Sequence, residues 1–244
     1  MTAIGISATP LRTLRSPRAA KAKPQIWPHP GPFLVLDINT YVRIISGMPK
    51  PSNRDRIIEA GLKVMFRQGF HGAGVRDIVA EAQAPQGSFT NHFPSKEAFA
   101  VEVLDHYFDY VQGLVREALD DEKLTPRARL RRYLDIITGK LEGGRFKRGC
   151  LIGDFSLETT QESDVLRARL VAVYKEWLTP FTDCIAQGQR AGEIASDFPP
   201  RELADFLLSS WQGAILRMKV ERSEAPLKRF KSIVFATVFK KENA

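Results

Sequence analysis

Between Gln86 and Phe93 the chain reads QGSFTNHF, and nearly every side chain there can donate or accept a hydrogen bond. Gln86, Ser88, Thr90, Asn91 and His92 are polar and none is acidic, while Phe89 and Phe93 stand at i and i+4 on one side of a helix. A short helix anchored by two aromatics, with an uncharged polar face, can offer donors and acceptors to base edges and phosphate oxygens. Gln86 suits bidentate pairing with adenine. Lys96, at the start of the next helix, is placed to meet a phosphate.

Cys150 is the second residue with chemistry to offer. It follows Arg145, Phe146, Lys147, Arg148 and Gly149 and is expected to open a helix. Nearby cations and a helix N-terminus both lower a thiol's pKa and favour the reactive thiolate. The alternative is a small buried hydrophobe at a tight turn. Cys184, beside Ile185, reads as core. Two cysteines make no disulfide framework and no metal-ligand spacing, and their number fits a reducing cytoplasm. Asp154 and Glu158 lie at i and i+4, but without a His partner or a second carboxylate motif they give no metal or acid–base site. No cofactor is expected.

The surrounding elements must position these groups. Val75, Ile78, Val79 and Ala82 form an apolar stripe of helical period. Gln83-Ala84-Pro85 is a turn, because proline disfavours helix before it and suits the first turn after it. The two short helices make a helix-turn-helix whose second member, Gln86 to Phe93, reads DNA. A helix from about Asn53 to Gln68, capped by Ser52 or Asn53 and stopped by Gly69, precedes them, with Phe70 to Gly74 as the connection. Ser95 caps a long helix over about 96–120, roughly 37 Å at 1.5 Å per residue.

Further helices follow from Thr125-Pro126 towards Leu141, from Cys150 to Thr160, from Ser163 to Arg190 with a kink at Pro180, from Pro200 to Arg222, and from Pro226 to Val238. Nothing after residue 51 reads as a confident strand, so the fold class is all-α. The chain divides into a basic tail over 1–51, a helix-turn-helix head over 52–98 and a helical body over 99–244.

The chain has 244 residues and a formal net charge of +8. Of that, +6 lies in residues 1–51, a disordered arm or an untranslated stretch ahead of a start at Met48. The head carries six basic and five acidic side chains. No apolar run reaches the ~18 residues that span a bilayer, and no secretory signal is present, so a cytoplasmic protein is expected. No Gly-rich phosphate loop, nucleophile elbow or H-E-x-x-H motif supports an enzyme. A ligand-independent DNA-organising protein would not require so large a body after the head.

AQAPQGSFTNHFPSKEAF, set after a first helix, resembles the TetR family of one-component transcriptional repressors over about Asn53 to Asp105. RGCLIGDFSLE at 148–158 and WQGAILRMKVERSEAPL at 211–227 are similar to the bodies of its N-ethylmaleimide-responsive and acrylate-responsive members. The resemblance implies a three-helix head joined by a long helix to a ligand-binding and dimerisation domain. The homodimer would form through helices 200–222 and 226–238, each body would hold a small-molecule effector, and two heads would bind a palindromic operator. Ligand would pivot the long helix and release the DNA; an activator is the alternative.

Arg54 and Arg76 would touch the DNA backbone, with Arg56 a weaker candidate. Cys150 would carry a response to electrophiles. A small organic acid is the alternative effector, with Tyr107, Tyr133, Tyr174, Trp177, Trp211, Gln212 and Arg217 as donors by type; Trp and Tyr stripes at helical spacing also serve as core or interface. Two family features are missing: Gln86 replaces a frequent lysine and Thr90-Asn91 a tyrosine, so a shallow salt dependence of DNA binding is expected.

Overall fold

The computed structural model of the protein describes residues 52–159 and 161–241, and the expectations for the tail over 1–51 lie outside them. The described residues contain nine helices and no strand. Helix α1 (Asn53–Gly72) opens with a reciprocal cap: the Ser52 hydroxyl accepts the Asp55 N–H, and the Asp55 carboxylate accepts the Ser52 N–H. Its inward face is Ile57, Ile58, Val64, Met65 and Phe70. Gly69 breaks the helical run as its position implies: it takes φ 74° and ψ 177°, a conformation that favours glycine, and Phe70 to Gly72 add a separate turn beyond the kink.

Helix α2 (Val75–Glu81) and helix α3 (Ser88–His92) form the helix-turn-helix. Helix α3 is five residues long, shorter than the expected Gln86–Phe93: Gln86 and Gly87 belong to the turn, and Phe93 is extended at φ −131°. Phe89, Phe93 and Phe99 close the head's core with ring centroids 4.7–5.3 Å apart in edge-on or tilted pairs. Phe99 belongs to helix α4 (Lys96–Leu119), capped by Ser95. A Cβ at Gly61 would lie 2.2 Å from the Phe99 ring, so glycine is what lets α1 approach α4 here.

Helix α4 carries the chain from head to body. There it packs against helix α5 (Pro126–Gly143) and helix α7 (Asp164–Arg190), which runs continuously past Pro180. Thr125 and Ser163 cap α5 and α7 through their side chains, as their sequence positions imply. Helix α6 (Leu151–Glu158) lies against α1, α4 and α7. Helix α8 (Pro200–Glu221) packs on α7, and helix α9 (Ala225–Thr237) packs on α8. The body's core is built from Phe108, Leu130, Tyr133, Phe155, Phe181, Trp211 and Met218, each no more than 1% exposed.

Candidate functional site

The head presents its polar face as the sequence requires. Gln86, Thr90, Asn91 and His92 are exposed and Ser88 is half-buried, while Phe89 and Phe93 are core. Gly87 opens onto free space, so a backbone or a phosphate can approach closely at the start of α3. The Thr90 hydroxyl donates to the Gly87 carbonyl at 3.1 Å and keeps its lone pairs for another donor. Gln83 sits in the left-handed region at φ 51°. The Arg56 guanidinium holds that turn by donating to the carbonyls of Ala82 and Gln83 at 2.5 and 3.1 Å.

The cations are more occupied than the sequence suggests. Arg54 pairs with Glu102 and lies over the Phe93 ring at 5.5 Å. Arg67 pairs with Glu81. Lys96 donates to the His71 carbonyl at 3.2 Å and sits 4.7 Å from the Phe70 ring centroid. Burial lowers the Lys96 pKa, and Glu158 partly opposes that. Arg76 is exposed, with no ion pair among the described residues. The polar residues of α3 therefore share one surface with few unoccupied charges around it.

In the body, Cys150 is the N-cap of α6, and it is 8% exposed. Two neutral donors point at its sulfur: the Gln212 amide at 3.2 Å and the Tyr107 hydroxyl at 3.7 Å. Of the cations that precede it in sequence, Arg148 lies over the Phe66 ring at 6.0 Å. Arg145 and Phe146 both have positive φ (54° and 56°), so the connection into α6 is held in a costly conformation for non-glycine residues.

A cleft of about 220 Å³ opens beside the thiol, with Cys150, Ser156, Tyr174, Gln212, Leu216 and Lys219 in its wall. Lys219 bonds both Asp154 oxygens at 2.9 and 3.2 Å, and Ser156 and Tyr174 share a hydrogen bond at 3.1 Å. Burial, and then the neighbouring Cys150, push the Tyr107 pKa well up; burial also raises Tyr133 and Tyr174. These phenols stay protonated at neutral pH and can donate.

The other candidates fall elsewhere. Tyr133 packs edge-on against Phe181 in the core, Trp211 tilts against the half-buried Phe230, and Trp177 stacks behind the cleft's Tyr174. The Trp211 indole N–H is buried without a hydrogen-bond partner among the described residues. Arg217 pairs with Glu221 one turn along α8. Lys219 and Ser156 went unnoticed in the sequence; Lys219 meets Asp154 across 65 positions, and no local spacing announces that. Asp154 and Glu158 do not act as a pair, and no group of His, Cys, Asp or Glu among the described residues could hold a metal ion.

Helix α6 also touches the head. The Glu158 carboxylate accepts the Phe70 N–H at 2.6 Å, and the Glu158 carbonyl lies 3.0 Å from His71 Nε2. The same eight-residue helix thus has the cleft thiol at one end and the end of α1 at the other.

Residues 57–103 match the profile of bacterial regulatory proteins of the tetR family, and residues 126–234 match the tetracyclin repressor-like C-terminal domain. The chain is 44% identical to the HTH-type transcriptional repressor DhaR of Mycobacterium sp. strain GP1, over 77% of this chain and 93% of that protein. It superposes on a regulatory protein TetR from Rhodobacter sphaeroides with a TM-score of 0.73 at 31% identity, covering 76% of this chain and 98% of the other. The reduced form of Escherichia coli NemR gives a TM-score of 0.68 at 26% identity, covering 77% and 98%.

Proposed function

This chain belongs to the TetR family and is a DNA-binding transcriptional repressor, and from that premise we propose how it reads DNA and what releases it. Gln86, Ser88, Thr90, Asn91 and His92 contact base edges and phosphates of a palindromic operator, with Arg76 on the backbone, while Arg54 and Lys96 stay with Glu102 and the His71 carbonyl. Two copies bind together through α8 and α9, in the cytoplasm. The low free charge of the head supports recognition by hydrogen bonds and dimer spacing more than by counterion release.

The effector is a small reactive electrophile that enters the cleft and adds to Cys150. With an activated alkene such as N-ethylmaleimide, the sulfur bonds the β-carbon and the thiol proton ends on the α-carbon. The carrying observation is Cys150 in a cleft wall, at the N-cap position of the helix whose far end holds the head through Glu158. A second reading, a small carboxylate, is favoured by the Lys219 ammonium in the same wall, which would exchange Asp154 for the ligand.

Fluorescence anisotropy on an operator selected from random DNA tests both. N-ethylmaleimide should release wild-type protein and leave Cys150→Ser bound. Acrylate acting equally on both would select the carboxylate reading. Release of Cys150→Ser by N-ethylmaleimide at the wild-type rate would rule out the thiol.

A further inference from the structure

Helices α5 and α9 run antiparallel: Arg127, at the start of α5, reaches the Phe235 and Phe239 carbonyls at the end of α9, and Asp135, further along α5, meets Lys231. Between them lies a groove of about 490 Å³, apart from the head and from the Cys150 cleft. Its wall carries Arg127, Arg131, Lys228 and Lys231 against a single acid, Asp135. Phe235, 2% exposed, supports both guanidiniums, with Arg131 at 4.1 Å and Arg127 at 5.3 Å from its ring centroid. Arg127 is held further by donating to the Phe239 and Phe235 carbonyls at 2.6 and 2.9 Å. Lys231, its side chain only 14% exposed, donates to Asp135 at 2.8 Å and to the Thr138 hydroxyl at 3.2 Å. Lys228 pairs with Glu224 one turn back along α9. Neither arginine forms an ion pair among the described residues. Like charges gathered around one groove repel, and walls of low dielectric focus their potential into it.

We propose that this groove is a second small-molecule site, taking a soluble anion that carries phosphoryl groups and joining α5 to α9 through it. A guanidinium fork matches phosphate oxygens two at a time, and Arg131 is pre-set for that by its stacking on Phe235. The ammonium groups of Lys228 and Lys231 answer the further charge that a phosphoryl anion carries and a single carboxylate does not. The volume lies in the range of small-ligand sites and exceeds what one phosphate fills. Asp135 is the internal competitor: on binding, Lys231 exchanges that carboxylate for the ligand. Helix α5 also packs on α4, so an anion bridging α5 and α9 bears on the helix that carries the head. This site stands independently of the Cys150 cleft and of any effector bound there.

The test is calorimetric titration of the full chain with pyrophosphate, with malonate as the dicarboxylate comparison, at a constant ionic strength of about 0.15 M. Binding by the basic residues of 1–51 is a background common to every variant. Pyrophosphate should saturate the wild type and bind more tightly than malonate. Arg131 and Asp135 are exposed, so substitutions there spare the core. Arg131→Gln should weaken pyrophosphate at least ~10-fold, the loss of a charge-assisted contact. Asp135→Asn should tighten it several-fold by removing the competing carboxylate. Arg167→Gln, on α7 and outside the groove wall, should bind as the wild type does. Equal affinity in all these proteins would overturn the proposal, as would malonate binding as tightly as pyrophosphate. A DNA duplex without an operator that loses affinity in Arg131→Gln, while pyrophosphate does not, would make the groove a nucleic-acid contact and refute the small-molecule site. If Arg131→Gln melts earlier than the wild type, Arg131→Lys decides, because it keeps the charge and loses the fork: weaker pyrophosphate binding supports the site, and unchanged binding refutes it.

Discussion

Glu158 and Phe70 join the two parts of the molecule: the carboxylate at the last residue of α6 accepts the Phe70 main-chain N–H at 2.6 Å, just beyond the kink of α1. That N–H follows a non-helical residue and would otherwise need water. A charge-assisted bond of this type contributes about 1.5–3 kcal/mol when sheltered, and less at this half-buried position. Glu158→Gln keeps the shape but weakens the bond, and the head should then respond less to events at Cys150. The ratio of operator affinities before and after thiol alkylation should shrink several-fold, while α3 contacts and basal specificity persist. An unchanged ratio would mean that the coupling runs through α4 alone.

Gly69 and Glu158 are fitted to each other. A Cβ at Gly69 would lie 2.6 Å from both carboxylate oxygens, and the positive φ adds backbone strain. Gly69→Ala should therefore cost more than about 1 kcal/mol, seen as a lowered melting temperature. Removing the obstructing carboxylate in Gly69→Ala/Glu158→Ala should recover part of that loss. A double-mutant cycle with no interaction energy would show that the strain is local to the backbone.

Features written within a few residues of one another were legible in the sequence. Ser52, Ser95, Thr125 and Ser163 all cap the helices they precede, and Pro126 and Pro200 stand at helix starts. The polar face of α3 and its Phe89–Phe93 anchor follow from spacing alone. What escaped depends on partners far along the chain. Helix α1 gains a turn beyond Gly69 where Glu158, 88 residues from Phe70, takes its N–H. Arg54 reads as a free cation until Glu102 arrives from α4. Cys150 reads as a thiol among arginines until α4 and α8 bring Tyr107 and Gln212 to it.

Cys184 should make the fold less stable at high pH. Burial pushes Cys184 up to about 11, with Glu193 adding and Arg129 opposing. An unfolded thiol ionises near pH ~8.5, so the folded state binds this proton longer. The contribution to stability is complete below pH ~8.5 and is lost as pH rises towards about 11, by up to about 3 kcal/mol. Urea midpoints should fall across pH ~8.5–10 in the wild type and fall less in Cys184→Ala. Above pH ~10 the unfolded-state tyrosines add their own slope, since burial raises Tyr107 and Tyr133 in the fold. An identical slope in both proteins would assign the whole effect to other groups.

Recognition by α3 should behave as hydrogen bonding on a rigid support. Gln86→Ala and Asn91→Ala remove exposed groups, so the head's stability should change by less than about 0.5 kcal/mol. Operator affinity should drop ~5- to 150-fold for each residue that makes a bidentate base contact. Phe89→Ala takes away a 3% exposed ring packed between Phe93 and Phe99. It should cost about 3–5 kcal/mol and abolish binding by unfolding the head. Salt distinguishes the two sources of affinity. With Arg54, Arg56, Arg67 and Lys96 engaged internally, a dimer starting at residue 48 should neutralise only ~4–6 phosphates. The slope of log K against log salt then lies near −4 to −5. A slope of −9 or steeper would mean that these cations leave Glu102, Glu81 and the helix carbonyls to reach the DNA.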